Sequence, residues 1–164
     1  MLITILYKER YYMKILVCTD GSQHSQKALE KAVMIAEGCN VDEVAIIHVF
    51  DEKLNLSALP WGEGSAPTQK DMERFREALE ENKNEANKIL QEAQKYFEEK
   101  NIKTRTILKD GHPSDTIVKT AHNEGFDIIV IGSRGQSGLQ KVFLGSVSSA
   151  VVQESENCSV LTVK

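Results

Sequence analysis

The chain has 164 residues, enough for one domain with a sizeable core. Its 24 acidic and 20 basic side chains leave a formal net charge of −4, which argues against a broad electrostatic footprint for nucleic acid but leaves room for a local anion site. No run is long and apolar enough to span a membrane as a helix, and three separated cysteines without a CxxC form no disulfide framework, a pattern that suits a reducing cytosol.

The first segment, "MLITILYKERYY", has an apolar part, Leu2 to Leu6, too short for a secretory leader, and no small-residue cleavage site follows it. Met13 stands just before "KILVCTDGS", where the domain is expected to begin. Met1–Tyr12 is then either a genuine extension or the product of an upstream start codon. "KILVCT" reads as a short buried strand that ends in the turn "DGS". "SQHSQKALEKAVMIAEG" follows with Ala28, Leu29, Ala32, Val33 and Ile35/Ala36 at helical spacing and Gly38 as a stop signal. "EVAIIHVF", Glu43–Phe50, is a second buried strand.

Asp51 to Lys70 holds Pro60, Pro67, Gly62, Gly64 and Trp61, and reads as a long loop. Loops of that length inside a compact domain are usually functional or mobile. From Asp71 to Lys100 the periodicity predicts a long amphipathic helix with Phe75, Leu79, Ala86, Ile89/Leu90, Ala93 and Tyr96/Phe97 on one face. "KTRTIL" is a third strand, "DGHPSD" a turn, and "DTIVKTAHNEG" a short helix stopped by Gly125. "FDIIVIG" is a fourth strand, "SVSSAVVQESE" the last helix and "CSVLTV" a fifth strand. Cys18, Cys39 and Cys158 each have apolar neighbours and are expected to be small buried hydrophobes rather than reactive thiols.

Short continuous apolar strands alternating with amphipathic helices indicate an α/β domain, with a parallel sheet covered on both faces and doubly wound by right-handed crossovers. Such sheets take ligands beyond the carboxyl ends of their strands, where the winding reverses. Those ends carry "TDGS", "HVFD", "KDGHP" and "GSRG".

The stretch "GSRGQSGLQKVFLGS", Gly132 to Ser146, leaves a buried strand and re-enters structure at Gly-Ser. Read as G-x-x-G-(nine residues)-G-S, it suits a phosphate cradle. Gly132, Gly135 and Gly145 let the backbone approach an anion, and the N–H groups and dipole of the helix opened by Gly145-Ser146 favour negative charge. Ser146 and Ser148 add hydroxyls, and Arg134 and Lys141 add charge. It is neither a Walker A loop nor a G-x-G-x-x-G fingerprint. Spacing alone leaves the alternative open, a slack surface loop with Ser146 as an ordinary N-cap. Asp20 is equally open, between holding a ribose, adenine or hydrated metal and merely forming its turn with Ser22.

Together, "KILVCTDGSQHSQKALEKAVMIA", "VAIIHVFD" and "GHPSDTIVKTAHNEGFDIIVIGSRGQSGLQKVFLGSVSSAVVQESENCSVLTVK" resemble the universal stress protein family, in its ATP-binding branch. The resemblance covers Met13 to Lys164 and is weakest over Asp51 to Glu99. It implies a single Rossmann-like domain of the adenine nucleotide alpha hydrolase-like kind, with a five-stranded parallel sheet of order 3-2-1-4-5 and helices on both faces. It implies that Gly132, Gly135, Gly145 and Ser146 cradle ribose and phosphates and that Val147 and Ser148 continue that contact. Thr19 and Asp20 would line the nucleoside end, Val49 would meet adenine through its backbone, and Ile131 would pack near the base. Arg134 occupies a position that varies in the family, and Cys18 stands where some members carry proline. Family members commonly dimerise through the last strand, so a homodimer is expected.

Hydrolysis needs a positioned water, a base and stabilisation of the moving phosphoryl group, and the motif supplies phosphate donors only. Of the histidines, only His24 and His112 lie where they could approach a nucleotide. No cluster has metal-ligand spacing, so any Mg²⁺ or Mn²⁺ is expected to be held mainly by phosphates and water. The expectation is a cytoplasmic, nucleotide-responsive stress or signalling protein that binds ATP, acts on an unidentified protein partner, and engages neither nucleic acid nor membrane. A slow or partner-activated ATPase is the alternative.

Overall fold

The computed structural model describes residues 13–50, 68–135 and 144–164. Within them the chain forms β1 (Met13–Cys18), α1 (Gln23–Gly38), β2 (Val41–Phe50), α2 (Gln69–Glu98), β3 (Thr104–Asp110), α3 (Pro113–Glu124), β4 (Ile128–Gly132), α4 (Ser146–Glu154) and β5 (Ser159–Val163). Every pairing is parallel and the sheet order is β3-β2-β1-β4-β5, the doubly wound arrangement expected. The expectations for Met1–Tyr12, for the loop from Asp51 through Pro67 with Trp61, and for Gly138 and Lys141 lie outside the described residues.

The central strands are continuous apolar runs because both of their faces are covered. Ile15, Leu16 and Val17 of β1 and Ala45 and Ile46 of β2 are fully buried. Their side chains alternate between two cores. Ile15, Val17, Ile46 and Val130 meet Leu29 and Val33 of α1 and Leu90 and Phe97 of α2. Leu16, Ala45, Ile47 and Ile131 meet Ile117 of α3 and Val151 of α4.

The element boundaries correct several expectations. The loop expected to reach Lys70 ends at Thr68, where a capping box starts α2: Asp71 N–H donates to Thr68 Oγ1 at 3.3 Å and Thr68 N–H donates to Asp71 Oδ2 at 3.0 Å. α3 begins at Pro113, inside the stretch expected to be a turn, since proline's fixed φ suits the first helical position. β2 begins at Val41 rather than Glu43, and β4 at Ile128 rather than Phe126. Cys18 is buried as expected, but Cys158 is only partly buried and Cys39 is exposed. Cys39 caps the end of α1, where its N–H donates to the Ile35 carbonyl at 2.9 Å, so its place is set by its backbone and not by its thiol.

At the amino ends of the strands a charged network joins elements far apart in sequence. Lys14 Nζ lies 3.3 Å from Glu43, and Arg105 bridges Glu43 and Glu124 while its guanidinium sits over the Phe126 ring. Lys14 N–H donates to Asp127 Oδ2 at 2.7 Å, so β1, β2, β3 and the α3–β4 junction meet here. Burial pushes the Glu43 carboxyl up, but hydrogen bonds from Arg105 and Lys14 outweigh it and hold the group below the ordinary carboxylate range. A folded value below the unfolded one adds stability that is fully present above about pH 4.3 and is lost as the pH falls through the folded value. The groups are partly exposed, so the contribution is small. Glu43→Gln is expected to lower stability by up to about 1 kcal/mol near neutrality. The gap from the parent should narrow as the pH is taken from about 5 to about 3. Urea unfolding across that range checks both the sign and the size.

Candidate functional site

β1 feeds leftward into β2 and β4 feeds rightward into β5, so the winding reverses between β1 and β4. A cavity of about 290 Å³ opens there, at the carboxyl ends of the strands. Its floor is apolar: Cys18, Ile47, Val49 and Ile131 rise from three strands, Ile117 comes from α3, and Val147 comes from α4. Its rim is polar, formed by the side chains of Thr19, Asp20, Ser25, Arg134, Ser146 and Ser148 and the backbone at Gly132, Gly135 and Gly145. Every binding residue expected from the sequence that lies among the described residues therefore lines one cavity. Cys18, Ser25, Ile47, Pro113 and Ile117 line it without having been expected to. Ile47 was within reach of inference, since it shares a sheet face with Val49. Neither His24 nor His112 is among the lining residues.

The turn after β1 is held at each step. Thr19 N–H donates to the Ile47 carbonyl at 3.0 Å. Thr19 Oγ1 accepts from Gly21 N–H at 3.3 Å and lies 3.3 Å from Ser25 Oγ. Asp20 Oδ1 accepts from Ser22 N–H at 3.0 Å, so the turn-forming reading of Asp20 is realised. The same residue lines the cavity. His48 sits 2.8 Å from the Thr19 carbonyl through Nδ1. A carbonyl only accepts, so Nδ1 carries the proton and fixes the peptide that leads into Asp20. Ser22 Oγ accepts from Ser25 N–H at 3.2 Å and caps α1.

The glycines of the second motif have different reasons. A Cβ on Gly132 would lie 2.7 Å from the His24 carbonyl carbon, 2.8 Å from its oxygen and 2.9 Å from Ser25 N. Gly132 therefore exists for the approach of the α1 backbone. A Cβ on Gly135 would lie 2.8 Å from Asp20 Oδ2, so Gly135 makes room for that carboxylate. Gly145 has φ −69° and ψ 164°, which any residue adopts, and a Cβ there would meet nothing closer than 3.5 Å. Neither its conformation nor its protein neighbours demand glycine.

Ser133, between the motif glycines, was not singled out from the sequence and is the junction of the site. Its N–H donates to the Val163 carbonyl at 2.6 Å. Its carbonyl accepts from Gly145 N–H at 2.7 Å and from Ser148 Oγ at 3.0 Å. Ser148 Oγ also lies 3.1 Å from the Gly145 carbonyl. The Ser148 hydroxyl, expected to be a phosphate donor, thus directs its proton to main-chain carbonyls. Gly145, not Ser146, is the N-cap of α4, and it supplies no side-chain cap. The first helical bond is Ser149 N–H to the Gly145 carbonyl at 2.9 Å. The N–H groups of Ser146, Val147 and Ser148 precede it and have no acceptor within the helix.

Two further groups bear on chemistry. Burial pushes the Cys18 thiol far above its ordinary range, with the negative charge of Asp20 adding to the effect, so it remains a neutral part of the floor. His112, Ser114 and Asp115 meet at the start of α3. Ser114 Oγ at 3.1 Å and Asp115 Oδ1 at 3.4 Å both address the same nitrogen of His112, Nδ1, and Ser114 is 1% exposed. A nucleophile needs access and a base whose two nitrogens serve two partners, so this is local packing at the start of α3.

The Universal stress protein family model matches residues 11–164, and the chain belongs to that family. It is 38% identical over 154 residues to the universal stress protein YxiE of Bacillus subtilis, covering 93% of this chain and 99% of the relative. It is 37% identical over 159 residues to the universal stress protein MJ0577 of Methanocaldococcus jannaschii, covering 93% and 95%. The solved structure of MJ0577 superposes with a TM-score of 0.77 over 93% of this chain and 96% of that one. A universal stress protein solved in complex with cAMP, 26% identical, superposes with a TM-score of 0.62 over 93% and 97%.

The contrast between two glycines is testable. Gly132→Ala forces β4 and the first turn of α1 apart and is expected to cost about 1–3 kcal/mol. Gly145→Ala should leave the unfolding midpoint within about 0.5 kcal/mol of the parent. Chemical denaturation of both variants without ligand checks the pair. Equal losses would show that the two positions are packed alike.

Proposed function

We propose that this protein binds ATP in the cavity at the β1/β4 switch and acts as a nucleotide-responsive stress or signalling protein. The observation that carries this reading is the uncapped start of α4. Three backbone N–H groups without helical acceptors border a cavity whose floor is apolar and whose rim is polar. Phosphate oxygens fit the first feature, through hydrogen bonds and the helix dipole. A flat heteroaromatic base fits the second, between Val49, Ile131 and Ile117. Thr19 and Asp20 stand at the nucleoside end of such a ligand, and Gly132, Gly135, Gly145 and Ser146 follow its ribose and phosphates. Val147 and Ser148 contribute through backbone N–H groups rather than through the Ser148 hydroxyl. Any Mg²⁺ or Mn²⁺ would ride on the phosphates with water. The known complex of a relative with cAMP supports an adenine nucleotide in this fold.

We read the site as one for occupancy rather than turnover. Asp20 is the lining carboxylate among the described residues, and its Oδ1 already accepts from Ser22 N–H. A partner protein would then respond to the surface around the occupied cavity. The domain spans Met13–Lys164, and the free thiols of Cys18, Cys39 and Cys158 suit a cytoplasmic setting.

We also propose a homodimer through β5. The two sheet edges differ. β3 carries Arg105, Lys109 and Asp110 along its length, whereas β5 is Ser-Val-Leu-Thr-Val without a charge. Leu161 is 36% exposed on β5 and Val152 is 44% exposed on the neighbouring α4. Charges guard an edge against pairing, so the unguarded edge is the one to pair. Leu161→Lys is expected to shift the protein from dimer to monomer in sedimentation at micromolar concentration. A parent that sediments as a monomer would remove the proposal.

The ATP site is tested by Gly145→Val, at a position where the fold accepts a Cβ at ordinary van der Waals distance. ATP affinity is expected to fall by about 2–3 kcal/mol, as charge-assisted hydrogen bonds are displaced. Ser146→Ala should cost about 1 kcal/mol, because the backbone donors remain. Titration calorimetry with circular dichroism checks both. A folded Gly145→Val protein that binds ATP like the parent would falsify the assignment.

A further inference from the structure

We infer that Arg134 makes this site a reader of phosphate number, favouring nucleoside di- and triphosphates over nucleoside monophosphates and cyclic monophosphates. The inference rests on the nucleotide reading above and deepens it.

Three observations converge on this residue. Arg134 lines the cavity, and its Nε is buried without a hydrogen-bond partner among the described residues. A guanidinium stays charged at every ordinary pH and has only donors to offer, so a buried, unmatched N–H is a standing cost that an incoming acceptor relieves. Second, Arg134 lies where the helix donors begin. A Cβ on Gly145, the N-cap of α4, would be 3.5 Å from the Arg134 Cα and 3.5 Å from the Ser133 carbonyl oxygen. The backbone of Arg134 therefore borders the start of α4, and both line the cavity. Third, Asp20, held by Ser22 N–H, brings its Oδ2 against Gly135, next to Arg134 in the chain, so the charged lining residues are one acid and one base. Of these two only the Arg134 cation attracts a phosphate.

A single phosphoryl group finds sufficient donors in the N–H groups of Ser146, Val147 and Ser148. These donors are part of the backbone and serve any phosphate that reaches them. A guanidinium adds a second, bidentate anion site beside the first. Only a ligand with a further phosphoryl group engages both. A cyclic monophosphate, with one charge and two of its phosphate oxygens tied into a ring, gains least from Arg134. The arginine therefore separates ligands that the backbone cradle treats alike.

The test is titration calorimetry of ATP, ADP, AMP and cAMP against the full chain, Arg134→Gln and Arg134→Lys, with thermal unfolding of each protein alone. The parent is expected to bind ATP and ADP at least 10-fold more tightly than AMP and cAMP. Arg134→Gln should bring that ratio to within about threefold by weakening ATP and ADP, while AMP binding moves less than twofold. Arg134→Lys keeps the charge but loses Nε–H and the fork, and should fall between the two. The inference is overturned if the parent shows no preference. It is also overturned if either variant loses ATP and AMP affinity by the same factor, or if ATP affinity does not move. In each of those cases the nucleotide reading stands, because the parent still binds. A parent that binds none of the four ligands overturns both.

Discussion

The site depends on one close approach, that of the α1 backbone to Gly132. β1 and β4 are neighbours whose chains turn to opposite sides, and the space between their ends is open because no connection crosses it. How wide it opens is set by how near the first turn of α1 lies to β4. With no Cβ at Gly132, His24 and Ser25 rest directly on the strand end. That contact brings Thr19, Asp20 and Ser25 to the same cavity as Arg134 and Gly135, across more than 100 residues of sequence. Gly135 repeats the device against the Asp20 carboxylate. Two glycines that look like ligand contacts in the sequence act first on protein packing, and the ligand space is the consequence.

The second constraint is the carbonyl of Ser133. It receives Gly145 N–H and Ser148 Oγ together, so the residues on either side of segment 136–143 are tied within hydrogen-bond distance. Ser133 N–H is tied in turn to the Val163 carbonyl on β5. The start of α4 is thereby fixed to the sheet by backbone and hydroxyl bonds, not by a side-chain cap. A capped helix would direct one or two of its first N–H groups inward to the cap. Here Gly145 provides no side-chain cap, and none of the three has an acceptor within the helix. The other helix starts vary on the same theme: α1 is satisfied by Ser22, whereas α3 starts at Pro113 with no side-chain cap and contributes Pro113 and Ile117 to the cavity wall.

Much of this was legible in the sequence. The apolar runs of β1, β2 and β4 state their burial on both faces, and the helices state theirs by period. The sheet order came from the family resemblance, since periodicity does not distinguish one parallel order from another. The residues of the cavity were legible because three motifs end strands that must share one edge. What was not legible has physical causes. Ser133 acts through its carbonyl and N–H, which every residue carries, so its type signals little. The capping box of α2 was hidden because Asp71 stands in for the more usual glutamate or glutamine and lies beyond a proline-rich stretch. Cys39 is exposed because backbone capping of α1 decides its place, and neighbouring valines and alanines do not. The Ser148 hydroxyl, read from the sequence as a donor to phosphate, meets the Ser133 carbonyl at 3.0 Å, an acceptor that residue type does not announce.

The same distinction separates the backbone parts of the site from its charged side chains. Backbone N–H groups, a switch point and glycines at close approaches specify that an anion and a flat ring can be held together. They say little about which nucleotide is held, since they carry no charge of their own to match against it. Discrimination falls to side chains on the rim, and among the described residues that line it the charged ones are Asp20 and Arg134. Asp20 is restrained by the turn it forms and by its approach to Gly135. Arg134 has its Nε unmatched and stands at the start of α4. If the proposed nucleotide occupies it, a cradle made of backbone, with one restrained carboxylate and one cation on its rim, would let a single residue set ligand preference. Changing that residue need not disturb the glycines, the Ser133 junction or the core beneath them.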